Sequence, residues 1–172
     1  MPATREREAV WIKSIGQTLI WGGVFLWLAW IIKPAGQGWV PSRLGVDTLI
    51  AAALIVAGVL LGLAAVFAFA LQGRGTPFPL DPPRALVALG PYQYVRNPLY
   101  WAAGFIVAGE LSLYNRSLDP GWEGFAIVPV ALLVVHLLVV RIEEPDLRKR
   151  FGEDYERYCR RVPRWLPRFG RT

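Results

Sequence analysis

The stretch "TLIAAALIVAGVLLGLAAVFAFAL", Thr48 to Leu71, contains neither a charged residue nor a proline. As a helix rising ~1.5 Å per residue it reaches about 36 Å, more than the ~30 Å hydrocarbon core of a bilayer. Its apolar residues are continuous rather than alternating, which excludes a barrel strand, and a backbone in lipid must then satisfy its own hydrogen bonds as a helix. Three further runs extend the pattern: Ile15–Ile32, with "LIWGGVFLWLAWII", Leu99–Tyr114, and Phe125–Ile142, "FAIVPVALLVVHLLVVRI". The first and last each reach roughly 27 Å; the third gives only about 24 Å, which predicts a locally thinned bilayer or shielding by protein. The chain is 54% hydrophobic, above the roughly 45–50% of soluble domains. The expected fold class is therefore all-α: a polytopic membrane helix bundle of about four transmembrane helices. Residues 1–172 read as a single integral-membrane domain, 1–72 holding two N-terminal spans and 73–172 the remainder.

Basic residues set the orientation. If both termini are cytoplasmic, sixteen of the nineteen Lys and Arg lie on the cytoplasmic side, and the positive-inside rule selects that topology. No cleavable signal is read before the first run, which follows the mixed-charge "TREREAVWIK". A single cysteine, Cys159, leaves no internal disulfide and no zinc ligand set. Gly58 and Gly62 permit close helix approach; packing within a monomer is the favoured reading and an oligomer seam the alternative.

The third run opens from "GPYQYVRNPLYW", Gly90 to Trp101, on the expected cytosolic face. The loop from Gly73 to Pro98 holds six prolines, at 77, 79, 82, 83, 91 and 98. Such density predicts a stiff strap across the mouth of the bundle rather than a flexible linker. Within it "RALVALG" is expected to form a short helical turn or two ended at Gly90. Asn97 and Pro98 suit the cap and first position of a helix, whose free amides and positive dipole end favour an anionic group. After the fourth run, Pro145 with Glu143, Glu144 and Asp146 reads as another helix start. Leu147, Phe151, Tyr155, Tyr158 and Val162 then form the stripe of a C-terminal amphipathic helix, expected at the interface against anionic headgroups. Gly152 argues against one unbroken helix, and Pro163, Trp165 and Pro167 read as an interfacial ending.

"GPYQYVRNPLY", followed by "EEPDLRKRFGEDYERYCRRVPRWLP", resembles the isoprenylcysteine carboxyl methyltransferase and phospholipid N-methyltransferase family. The family pattern is met by Gly90, Tyr92, Arg96, Pro98 and Tyr100, then by Glu143, Glu144, Leu147, Phe151, Gly152, Tyr155, Tyr158, Val162 and Pro163. Asn97 departs from it by standing where the family has histidine; it can hydrogen-bond but cannot titrate. The resemblance covers residues 73–168 and implies S-adenosylmethionine as cofactor. It further implies cofactor contacts from Leu86, Val87 and Tyr92, from the turn Asn97, Pro98, Leu99 and Tyr100, and from Glu143. Arg141 matches, at a different spacing, an arginine that touches substrate.

The residues themselves suit that chemistry. Arg96 and helix amides fit the cofactor's carboxylate, Glu143 and Glu144 its ammonium or ribose diol, and Tyr92, Tyr94 and Tyr100 its adenine or sulfonium. His136 and Glu110 lie inside expected spans, where ionisable groups are costly. His136 precedes Glu143 by seven residues, so both are expected on one helix face, with His136 as a base for an amine or thiol acceptor; Glu110 is expected to be structural. Catalytic candidates are thus His136, Arg141 and Glu144. The expected partners are membrane lipids and a hydrophobic or lipid acceptor, with no metal and no nucleic acid. Two other readings stay open: an NADPH-dependent membrane reductase and a non-catalytic scaffold of the same fold. The methyltransferase reading expects the proline-stiffened turn and the acidic pair to form one cavity at the inner leaflet.

Overall fold

The computed structural model describes residues 45–73, 83–114 and 122–168, with helical positions at 12, 15–16, 19–20 and 22–24; Tyr114 and residues 122–128 are described by their backbone. All regular structure among the described residues is helical. Most of the expected first span, and the prolines at 77, 79 and 82, lie outside the described residues. Two compact units result: the described residues up to Tyr114 together with those from Val162 onward, and those from Trp122 to Arg161.

The first unit is built on α1, Val46–Ala68, whose last turn widens into a π turn at Phe69–Gly73. Together they make the one helix among the described residues long and apolar enough to cross a membrane. Its buried positions are small: Thr48, Ala51, Gly58, Ala65 and Ala68. They recur at three or seven residues and so mark one face. Its large side chains point away, Leu49 at 64% and Leu60 at 62% exposure among them. A helix that hides alanines and shows leucines is inverted relative to a soluble one, because its outer face is built for hydrocarbon.

The small face receives α2, Pro98–Tyr114. Pro98 takes the first helical position, where its missing N–H costs nothing. Contact is so close that a Cβ on Gly58 would come within 2.7 Å of the Ala102 carbonyl and of Ile106 Cγ1. Reciprocally, one on Gly109 of α2 would meet Ile55 Cγ1 at 2.6 Å and the Ala51 carbonyl at 2.7 Å. Gly58 therefore serves packing within the chain, as its spacing predicted.

Between the two helices the strap takes a path that corrects one expectation. Residues 83–89 form no helical turn; a 3-10 turn instead begins at Gly90 and runs to Gln93. The cause is where the amides go. Arg84 and Ala85 donate to the Gly73 carbonyl at 2.8 and 3.3 Å, and Ala88 donates to Gln72 Oε1 at 2.8 Å. The π turn at the end of α1 thus consumes donors that a local helix would need. Gly90 carries φ +58, which favours a residue without Cβ, and Pro91 fixes the next position.

The second unit starts with α3, Trp122–Leu138, passes through a π turn at Val139–Glu143, and continues as α4, Glu144–Arg161. Pro145 sits in the first turn of α4, at the helix start its acidic neighbours predicted, and the chain reaches it already helical through the π turn. The Glu144 amide reaches back five residues to the Val139 carbonyl; a proline one position later, without an N–H and bulky towards the preceding turn, favours that widening. Gly152 bends α4, with φ +52 and ψ −125. Along it Leu147 and Phe151 are half-buried while Tyr155 and Tyr158 are buried.

Gly58→Leu is expected to destabilise the protein by about 1–3 kcal/mol through overpacking. Gly104→Ala, at a position with nothing within 4 Å of the new Cβ, should stabilise it by about 0.5–1 kcal/mol. Unfolding of detergent-purified variants measures both; equal stability of the two would contradict the seam.

Candidate active site

At one end of the first unit the strap, the turn before α2 and the residues after α4 come together. Val87 and Tyr92 are buried with Ala65 and Ala68, and Phe69 and Leu99 pack against them. The Tyr92 ring meets Phe69 edge-on, with centroids 5.4 Å apart and planes at 74°. These two candidate cofactor residues therefore build the floor of the region, while Leu86 beside them is half-buried. Tyr94 faces outward at 45% exposure.

The turn itself is held from an unexpected quarter. Arg96 N–H donates to the Pro163 carbonyl at 2.9 Å, and the Arg168 amide donates to the Tyr94 carbonyl at 3.0 Å. Asn97 Nδ2 donates to the Arg164 carbonyl at 3.2 Å, and Trp101 Nε1 to the Trp165 carbonyl at 2.8 Å. Pro98 is fully buried; Arg96, Leu99 and Tyr100 are half-buried. Tyr100 meets Trp165 edge-to-face at 6.1 Å and 70°. The structure thus gathers Leu86, Val87, Tyr92, Arg96, Asn97, Pro98, Leu99 and Tyr100 in one unit. To them it adds Trp101, to which the sequence assigned no role, and Trp165, which it read only as part of an interfacial ending. A signal was present: "VPRWLPR" is extended by its prolines and short of amides, so its carbonyls call for donors such as Asn97 and Trp101.

His136, Arg141, Glu143 and Glu144 lie in the second unit. Arg141 is exposed, His136 and Glu143 are half-buried, and Glu144 is 2% exposed. The expected alignment of His136 with Glu143 is corrected by the π turn. At ~100° per residue, seven residues would nearly superpose them; one extra residue in a wide turn moves that position on to Glu144. The inward carboxylate is therefore Glu144.

Glu144 is faced by Arg148, whose NH1 is 3.6 Å from Glu144 Oε2. Arg148 Nε also donates to Glu156 Oε1 at 2.7 Å, and its guanidinium lies 5.9 Å from the centroid of the Tyr155 ring. On a straight helix residues eight apart would be separated by about 12 Å; the bend at Gly152 closes that distance. The hydrogen bond to Glu156 is the largest cause holding the Arg148 guanidinium above its ordinary pKa, against partial desolvation and with help from the charges of Glu156 and Glu144. Glu110, near the far end of α2, is buried, and its Oε2 has no hydrogen-bond partner among the described residues. No group of three or more potential metal ligands occurs among the described residues.

The polar and aromatic groups in each unit fit parts of S-adenosylmethionine, the cofactor that the resemblance implies. In the first, Arg96 and the opening amides of α2 match a carboxylate, and the half-buried Tyr100 a flat ring or a sulfonium. In the second, the buried Glu144 matches an ammonium or diol.

The phospholipid methyltransferase family model matches residues 46–154, from the start of α1 into α4. More than half of the chain is covered, and the chain belongs to that family of membrane methyltransferases. The methanethiol S-methyltransferase of Crocosphaera subtropica (strain ATCC 51142 / BH68) is 30% identical over 115 residues, 65% of this chain. The match spans 38% of that relative's length. No solved structure matches the chain.

Removing the cation that faces Glu144, by Arg148→Ala, should cost about 1–3 kcal/mol, because a buried carboxylate loses a half-exposed charge partner. Glu156→Gln, at a pair with both side chains over a third exposed, should cost about 1 kcal/mol or less. A raised arginine pKa contributes stability that is fully present below the ordinary arginine value and is lost only as pH climbs through the folded value. The gap between wild type and Glu156→Gln should therefore stay constant from about pH 6 to 9 in thermal unfolding.

Proposed function

We propose that the protein transfers a methyl group from S-adenosylmethionine to a hydrophobic, membrane-borne acceptor at the cytosolic face. The observation that carries the reading is the phospholipid methyltransferase match, which embraces both the turn at Asn97–Tyr100 and the acidic pair. The outward apolar face of α1 supports access to a lipid-dissolved acceptor. The reading includes four spans, both termini in the cytoplasm and a C-terminal helix at the interface, in line with the distribution of basic residues.

When bound, the cofactor supplies an electrophilic methyl on a charged sulfonium. The chain's part is to orient and to exclude water, and positioning alone is worth up to about 7–11 kcal/mol. Leu86, Val87 and Tyr92 shape the cofactor's seat, Arg96 and the Asn97–Pro98–Leu99 turn take its anionic end, and Tyr100 lines its rings. Glu143 and Glu144 take the ammonium or ribose hydroxyls. Arg141 orients the acceptor, and an imidazole nitrogen of His136 removes the proton from an amine or thiol as the new bond forms. Among acceptors, a small thiol is favoured by the name of the Crocosphaera relative and a lipid amine by the family description; a prenylcysteine carboxylate is the third class.

S-adenosylhomocysteine is expected to raise the Tm of the detergent-purified protein and NADPH to leave it unchanged; the reverse would favour the reductase. Glu144→Gln should weaken S-adenosylhomocysteine binding tenfold or more, as for a lost charge-assisted bond of about 1.5–3 kcal/mol. Mass spectrometry after incubation with methyl-labelled cofactor, lipids and thiols identifies the acceptor. No labelled product with a cofactor-binding protein would leave the scaffold reading.

A further inference from the structure

The residues after α4 carry no role in the reading above, yet they are fastened to its centre. Pro163, Arg164 and Trp165 present three consecutive carbonyls to Arg96 N–H, Asn97 Nδ2 and Trp101 Nε1, and the Arg168 amide returns to the Tyr94 carbonyl. All four bonds use the backbone of this tail. Its path is therefore fixed by donors of the turn, whatever side chains it carries. Pro163 and Pro167 stiffen it and remove amides that would need partners.

None of these four bonds uses the Trp165 indole, so the path of the tail does not depend on that ring. The ring stands 6.1 Å from Tyr100 at 70°, and both side chains are half-buried. Two aromatic rings near a right angle make a corner in which a third flat ring stacks on one face and meets the other ring edge-on, both favoured geometries. The half-buried Arg96 lies in the same turn, and a neutral heterocycle is a better neighbour for a guanidinium than a sulfonium is.

We propose that Pro163–Arg168 is a fixed wall of the cofactor site. In it Trp165 and Tyr100 form the surface on which the purine of S-adenosylmethionine stacks, and Asn97 is the positioning residue that fastens the wall. This rests on the methyl-transfer reading. Asn97 suits the task because its amide donates at every pH. An aspartate of the same shape would turn an acceptor towards the Arg164 carbonyl.

The test uses the full chain in nanodiscs and titration calorimetry with S-adenosylhomocysteine and with 5′-methylthioadenosine. Both ligands carry the purine; only the first carries the amino-acid end. Trp165→Ala is expected to weaken both about tenfold, in the range of a lost aromatic stack, and Trp165→Phe about threefold or less. Unchanged binding in Trp165→Ala overturns the proposal while leaving the methyl-transfer reading standing, and so does a loss confined to S-adenosylhomocysteine. A wild type that binds neither ligand overturns both. Equal losses in the two variants with a lowered Tm assign Trp165 to packing and overturn its binding role. Asn97→Asp supplies an arm that needs no cofactor: hydrogen exchange across residues 162–168 should accelerate at least tenfold, and unchanged protection overturns the tether.

Discussion

The contact between α1 and α2 through paired glycines governs the first unit. Gly58 and Gly109 each sit where a Cβ would collide with the opposite helix, so the two backbones approach as closely as helices can. In lipid such an approach is driven by dispersion and shape, since hydrocarbon competes equally well for leucine. The seam fixes which end of α1 meets which end of α2. The π turn at Phe69–Gly73 therefore lies beside the turn that precedes Pro98, and the contacts of the strap and of the C-terminal segment within this unit are laid on that junction.

Beyond the seam, backbone groups outside regular structure dictate the architecture, because each needs a partner. The strap loses helical bonding but finds Gly73 O and Gln72 Oε1; the turn at 94–101 finds the carbonyls of the C-terminal segment. An irregular backbone beside a membrane is tolerable only when its amides and carbonyls are occupied by protein. The polar side chains crowded into "GPYQYVRNPLYW" thus divide their work. Asn97 and Trp101 satisfy the tail's carbonyls, Tyr92 fills the floor, and Tyr100 meets the Trp165 ring.

Much of this was legible in residue pattern. The continuous apolar run from Thr48 predicts α1, Asn97-Pro98 predicts the start of α2, and Gly152 predicts a break that its positive φ realises. The resemblance over residues 73–168 agrees with the family shown by the match to 46–154. Three features escaped for physical reasons. "RALVALG" has helical composition, but its amides are captured by residues distant in sequence. The alignment of His136 with Glu143 assumed a uniform pitch, and one widened turn hands the inward position to Glu144. Trp165 reads as part of an interfacial ending, and only tertiary contacts, its carbonyl with Trp101 and its ring with Tyr100, tie it to the turn.

Trp101 and its acceptor carbonyl stand 64 residues apart, and Asn97 and its acceptor 67. At a synthesis rate of about 5–20 residues per second, several seconds separate the emergence of the two sides. During that interval the nascent turn must keep an indole and an amide waiting in a half-built mouth. Assembly of this region is accordingly a late, post-insertion event, and truncations that spare every helix still leave newborn chains with an unfinished centre.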